Sequence, residues 1–192
     1  LAYALNYLGN VYLAQNDYKS AISYYFDALK EISSGKIYAL IHMNLGTVYR
    51  SLRDYESAIK YYIEAQELND KDSNDKRLRA LLTANIGALY FELGHYDKAL
   101  AYIEIGTVTL RALGDKNGTA ISYLFYTKYH FSTKNYKEAL KASEEAYQLS
   151  KEVGNKYIMC RALNRMAKAM LQLNDEKGGI ACLEKALLLS RE

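Results

Sequence analysis

Residues Leu8–Tyr25 read "LGNVYLAQNDYKSAISYY", and Leu45–Tyr62 read "LGTVYRSLRDYESAIKYY". Two stretches so alike, 37 residues apart, mark an internal repeat. The small residue of the "LG" pair extends the register along the chain. It falls at Gly9, Gly46 and Gly87, then at Thr127 and Ala167 in weaker copies, with spacings of 37, 41, 40 and 40. Three residues later stand Tyr12, Tyr49, Tyr90, His130 and Met170. Twelve residues later come Ala21, Ala58, Ala99, Ala139 and Gly179, and nineteen later Ala28, Ala65, Gly106, Ala146 and Ala186. A further column holds Tyr18, Tyr55, Tyr96 and Tyr136, with Glu176 as its exception.

Within each copy the apolar residues recur at helical spacing in two runs. Short polar breaks part the runs: "QND", "LRD", "LGH", "TKN" and "LND". Each copy therefore predicts a helical hairpin whose small residues let two backbones approach. One hairpin cannot bury both faces, so neighbours must stack. The expected copies are 2–38, 39–79, 80–119, 120–159 and 160–192, in one array over 1–192. Their connectors, "SSGK", "NDKDSNDK", "GDKNG" and "GNK", carry Gly, Asn and Asp, which end helices well and are too short for domain linkers.

Composition agrees with a helical array. Half of the 192 residues are hydrophobic, enough for a sizeable core. No proline interrupts a helix. Twenty Tyr against four Phe and no Trp make the aromatic content amphipathic. A net charge of +3, from 25 basic and 22 acidic residues, argues against a bulk nucleic-acid binder. No apolar run reaches the length of a membrane span. The first residue is Leu1, so the chain reads as an excerpt of a longer one. Cys160 and Cys182 read as small core residues rather than a disulfide. Zinc-protease, nucleophile-elbow, C-x-x-C and phosphate-loop signatures are all missing. His42, His95 and His130 lie in separate copies and read as packing or surface residues, not ligands. The expectation is a chain that is not an enzyme, with no cofactor and no metal.

The order small residue, Tyr, Ala, aromatic, Ala resembles the tetratricopeptide repeat across essentially the whole chain. Departures are a missing first-helix Trp, replaced by Leu5, His42, Thr83, Tyr123 and Leu163, and a missing terminal Pro. The long period is similar to that of kinesin light chains and bacterial quorum-sensing regulators. Connectors such as "LGDKNGTA" and "EVGNKYIM" look like those of bacterial signalling arrays fused to histidine kinases or helix-turn-helix regulators. The resemblance implies an all-α fold, a right-handed superhelical α-solenoid of about five stacked hairpins. It also implies a concave groove, lined by the first helices, that binds peptide or protein segments.

On that expectation the groove holds two sets of residues. The first is amide-bearing: Asn6, Asn10, Asn44, Asn85 and Asn164. A side-chain amide both donates and accepts, so a series of them could follow a peptide backbone. The set resembles the asparagine ladder of peptide-binding arrays. Asn10 and Asn44 match two positions of the family's carboxylate clamp, whose first-repeat Lys is replaced by Asn6. The second set is basic. Arg161, Arg165 and Lys168 share one helix face, with Lys128 one copy earlier and Arg50 farther along a first helix. Phe91, Phe125, Phe131 and Tyr7 offer apolar surface between them.

These readings predict a protein- or peptide-binding scaffold. Its groove takes an extended, acidic segment, as the sensory or docking region of a bacterial signalling protein. Cytoplasmic placement is expected, periplasmic if the full chain carries a signal peptide. Two alternatives stay open: an RNA-binding helical repeat, and a structural module that self-associates through Leu187, Leu188 and Leu189. Neither nucleic acid nor membrane is an expected partner.

Overall fold

The computed structural model describes residues 1–191. They form helices, paired as hairpins: α1 (Ala2–Ala14) with α2 (Tyr18–Lys30) and α3 (Lys36–Ser51) with α4 (Tyr55–Asp72), followed in the chain by α5 (Lys76–Glu92) and α6 (Tyr96–Ala112). Two more hairpins follow, α7 (Lys116–Ser132) with α8 (Tyr136–Glu152) and α9 (Lys156–Gln172) with α10 (Glu176–Arg191). No strand occurs among the described residues. The all-α expectation and its hairpin pairing hold.

Each polar break closes its hairpin in the same way. One residue takes the left-handed backbone conformation: Asn16, Arg53, Gly94, Lys134 and Asn174. The next residue caps the second helix. Asp17 accepts from the Ser20 N–H at 3.1 Å, Asp54 from Ser57 at 3.1 Å, and Asp175 from Gly178 at 2.9 Å. Asn135 accepts from Glu138 at 3.5 Å, whereas His95 makes no such bond. Between hairpins, Asp75, Asp115 and Asn155 cap α5, α7 and α9. Those caps start α5, α7 and α9 at 76, 116 and 156, four residues ahead of the repeat starts read from the small-residue columns, and α3 starts at 36, three ahead, after Gly35. The stretch "NDKDSNDK" is mostly helix for the same reason. Asn69, wholly buried in the last turn of α4, accepts from the Asp75 N–H and the Ser73 hydroxyl and donates to the Asp75 carbonyl.

The chain divides into two compact units, Leu1–Leu89 and Tyr90–Glu192. In the first, α1 lies against α2 and α3, and α3 against α4. Its core is built by Ala21, Tyr25, Ile41 and Leu45 in one cluster and by Ala58, Tyr62, Leu78 and Leu82 in the next. Gly9 and Gly46 explain the two large rings. A Cβ on Gly9 would sit 2.4 Å from the Tyr25 ring, and one on Gly46 2.6 Å from Tyr62. In the second unit, α7 packs on α6, α8 and α9, and α9 on α8 and α10. There the small-residue column continues as Thr127 and Ala167, both buried. Leu124, Ala146, Ala162 and Leu163 centre that core.

Both cysteines are free, Cys182 buried and Cys160 half-buried, and burial pushes both thiols up from their ordinary value. His42 is buried, its Nδ1 2.9 Å from the Tyr38 carbonyl oxygen. The three C-terminal leucines part company. Leu189 packs on the core, while Leu187 and Leu188 are exposed.

Candidate functional site

The asparagines of the first unit do not form an open ladder. Asn6 and Asn44 are buried, at 5% and 9% exposure. The Asn44 Nδ2 donates to Asn6 Oδ1 at 2.9 Å and to Asn10 Oδ1 at 3.0 Å. The Tyr25 hydroxyl donates to the same Asn10 oxygen at 2.7 Å. This corrects the groove assignment of Asn6 and Asn44. Asn6 stands three residues before the small residue, where Met43, Ala84 and Leu124 are buried too, while Asn44 stands two before it and is buried where α3 meets α1. Only Asn10 of the three is exposed. Asn85 is half-buried on α5, and Arg50 half-buried in the last turn of α3. Sequence reasoning passed over Tyr25 as a partner. Its signal was present, since Tyr25 and Tyr62 stand at one repeat position, and Tyr62 meets Thr47 across 3.2 Å as Tyr25 meets Asn10.

In the second unit the basic residues divide by partner. Lys128 is half-buried and paired with Glu92, its ammonium 4.9 Å from the Phe91 ring centroid. Lys168 repeats the ring contact one copy on, 5.1 Å from Phe131. The faces of Phe91 and Phe131 are therefore covered by the protein's own lysines, each contact worth about 0.5–1 kcal/mol. They are not open pockets. Glu92 was missed as the counter-charge of Lys128, although the two stand about one repeat apart.

On α9, Arg161, Asn164 and Lys168 are exposed and Arg165 is half-buried. The Arg161 guanidinium lies over Tyr157, 5.5 Å from its centroid. Among the described residues, no carboxylate forms an ion pair with Arg161, Arg165 or Lys168. Burial, and then the charge of Arg161, lowers the pKa of Arg165 to about 10. A partly desolvated cation without a counter-ion lacks an anion that a ligand can supply. Asn164 adds an amide beside it. No group of three His, Cys, Asp or Glu among the described residues is placed to hold a metal ion.

The comparisons fit this architecture. Residues 38–104 and, through a second sequence model, residues 4–36 match the family described as tetratricopeptide repeat. The chain belongs to the tetratricopeptide repeat family. Residues 118–177 match the model described as anaphase-promoting complex subunit 5. No curated protein matches the chain. Among solved tetratricopeptide-like structures, the chain is similar to the Rap conjugation gene regulator of plasmid pLS20 in complex with the Phr* peptide. That match has 16% identity and TM-score 0.85 over 99% of this chain and 53% of the other. A Rap protein complexed with competence and sporulation factor matches at 17% identity and TM-score 0.85, over 99% and 54%. PlcR of Bacillus thuringiensis, in complex with the peptide PapR7 and DNA, matches at 15% identity and TM-score 0.83, over 98% and 69%. The chain spans about half the length of those two Rap structures. At such identities the likeness is one of tetratricopeptide fold.

Proposed function

We propose that this chain is a non-catalytic scaffold that binds an extended acidic peptide segment. The segment's carboxylates pair with Arg161, Arg165 and Lys168, while Asn164 bonds its backbone. The observation that carries the reading is the half-buried Arg165 guanidinium, shared among three cations of one helix face with no ion-paired carboxylate. The Rap and PlcR structures, whose peptide complexes share this fold, support a peptide over other anions. By the same analogy the chain is the sensory or docking region of a bacterial cytoplasmic regulator. In the first unit the contribution narrows to Asn10, Asn85 and Arg50. Asn44 and Tyr25 act beneath Asn10 by donating to its oxygen, and Asn6 accepts from Asn44 behind them.

The test is fluorescence anisotropy with a labelled peptide of alternating Asp and Ala. Binding on the order of micromolar is expected at low salt, weakening as salt screens it. Arg165→Gln should weaken it about tenfold or more, since a charge-assisted bond contributes about 1.5–3 kcal/mol. Equal binding by Arg165→Gln, or equal binding of an alternating Lys and Ala peptide, would overturn the assignment.

A further inference from the structure

In three hairpins, a ring on the first helix meets a ring twelve residues later, nearly parallel in the first two and tilted by 39° in the third. Tyr12 meets Tyr24, Tyr49 meets Tyr61, and Tyr90 meets Tyr102, each with centroids 5.2 Å apart. In the last hairpin the corresponding pair is Met170 and Cys182, with sulfur atoms 3.9 Å apart. In the fourth hairpin the pair is His130 and Ala142. A ring present in the first three hairpins is missing there, and a cavity of about 770 Å³ opens at that place.

The cavity lies among α6, α7 and α8, inside the second unit. Its aromatic wall is α7, where Tyr126 and His130 lie nearly parallel, 16° apart, and Tyr123 is tilted against Tyr126. Thr107 and Ala142, both buried, also line it. Carboxylates of Glu104, Glu138 and Glu145 stand around it, against the two cations Arg111 and Lys141. Arg111 is already engaged, its guanidinium bonded to the Tyr123 hydroxyl and set over that ring. Burial holds His130 below its ordinary range, with Glu138 opposing, so the imidazole is an uncharged flat surface at neutral pH.

We infer that this cavity is a binding site for an aromatic ring bearing a positive charge. The ring takes the place left by the missing tyrosine, stacked on His130, and its cation faces the carboxylates. The first three hairpins show what the slot accepts, since the chain itself fills it there with a phenol ring. The site is distinct from the α9 face, and it does not depend on the peptide reading. Two sources carry this chemistry: a free aromatic amine, or a tyrosine beside a lysine on another protein.

The experiment titrates the whole chain and follows the His130 ring by proton–carbon NMR. Tyramine stands for the free amine, and a capped Lys-Tyr-Lys tripeptide for a protein segment. p-Cresol and 4-hydroxyphenylacetate carry the ring without charge and with the opposite charge. A saturable shift at His130 is expected with tyramine or the tripeptide, leaving His42 and His95 in place, and the tighter of the two names the source. p-Cresol should bind more weakly and 4-hydroxyphenylacetate weakest. Ala142→Tyr should restore the stacked pair, raise the melting temperature and abolish the shift. Ala142→Phe serves if the tyrosine variant does not fold. No saturable shift with any probe, an undiminished shift in both filled variants, or tightest binding by the anion would each overturn the inference.

Discussion

At the scale of single residues, the first unit turns on two glycines that no other residue can replace without cost. Tyr62 is almost wholly buried, so its ring cannot swing clear of a methyl at position 46. Gly46→Ala gains about 1 kcal/mol of helix propensity but forces the ring and the Ala58 carbonyl apart. Overpacking of this kind costs about 1–3 kcal/mol. The expected outcome, read from urea unfolding, is net destabilisation, with part of the loss recovered in Gly46→Ala/Tyr62→Leu. Leucine removes the ring that meets position 46, and additive losses would count against the coupling. The glycine columns were legible in the sequence because they recur. The fate of Asn44 was not. An amide on a first helix reads the same whether it meets solvent or another amide, and only the contact between α1 and α3 decides between them. Arg161 and Lys168 were legible because charge at i and i+7 stays on one face wherever the helix lies. The half-burial of Arg165 depends on packing that no spacing reveals.

At the scale of the helix and its turns, the repeat is more regular than its residues. The five closing turns share one left-handed residue each, yet only Gly94 is a glycine. A side chain there costs about 1–2 kcal/mol, so Lys134→Gly should raise the midpoint of unfolding, offset in part by the greater freedom of the unfolded chain. The sixth helix begins at His95, where a sister hairpin has Asp54 capping its second helix. His95→Asp should supply the missing acceptor and add about 1 kcal/mol. Thermal melts check both, and no gain from either would mean the turns relax without them. Helix number and pairing were legible from the two runs in each copy. The starts were displaced because an Asp or Asn cap recruits the next residues into the helix, a local bond that apolar columns do not record.

For the molecule as a whole, the same caps set its response to acid. Hydrogen bonds from the Ser20 side chain and backbone lower the Asp17 carboxyl below its ordinary 3.8, and Ser57 does the same for Asp54. For Asp75, burial opposes the change but is outweighed by Lys36, 2.6 Å away, and by the Leu78 and Arg77 N–H groups. A lowered carboxyl gives stability that is present above 3.8 and lost as pH falls through the folded values. His130 adds an earlier step. Its folded pKa is lowered from 6.5, so the unfolded chain takes up the proton first and stability begins to fall below 6.5. Urea midpoints from about pH 8 to about pH 3 should fall in these two stages. His130→Gln should remove the first. Asp54→Asn keeps the cap and should flatten part of the second, and an unchanged profile in both would sink the account.

The stacked tyrosines also give this tryptophan-free chain an optical signature. Two phenol rings held parallel at 5.2 Å couple their electronic transitions, and the coupling ends when the helices part. Near-ultraviolet circular dichroism therefore carries a coupled-phenol signal from the first two hairpins. The hairpin of His130 lacks such a parallel phenol pair, since its Tyr123 and Tyr126 rings are tilted by 41°. A tyrosine placed at position 142 would set a ring against His130 and give that hairpin a local gauge of order.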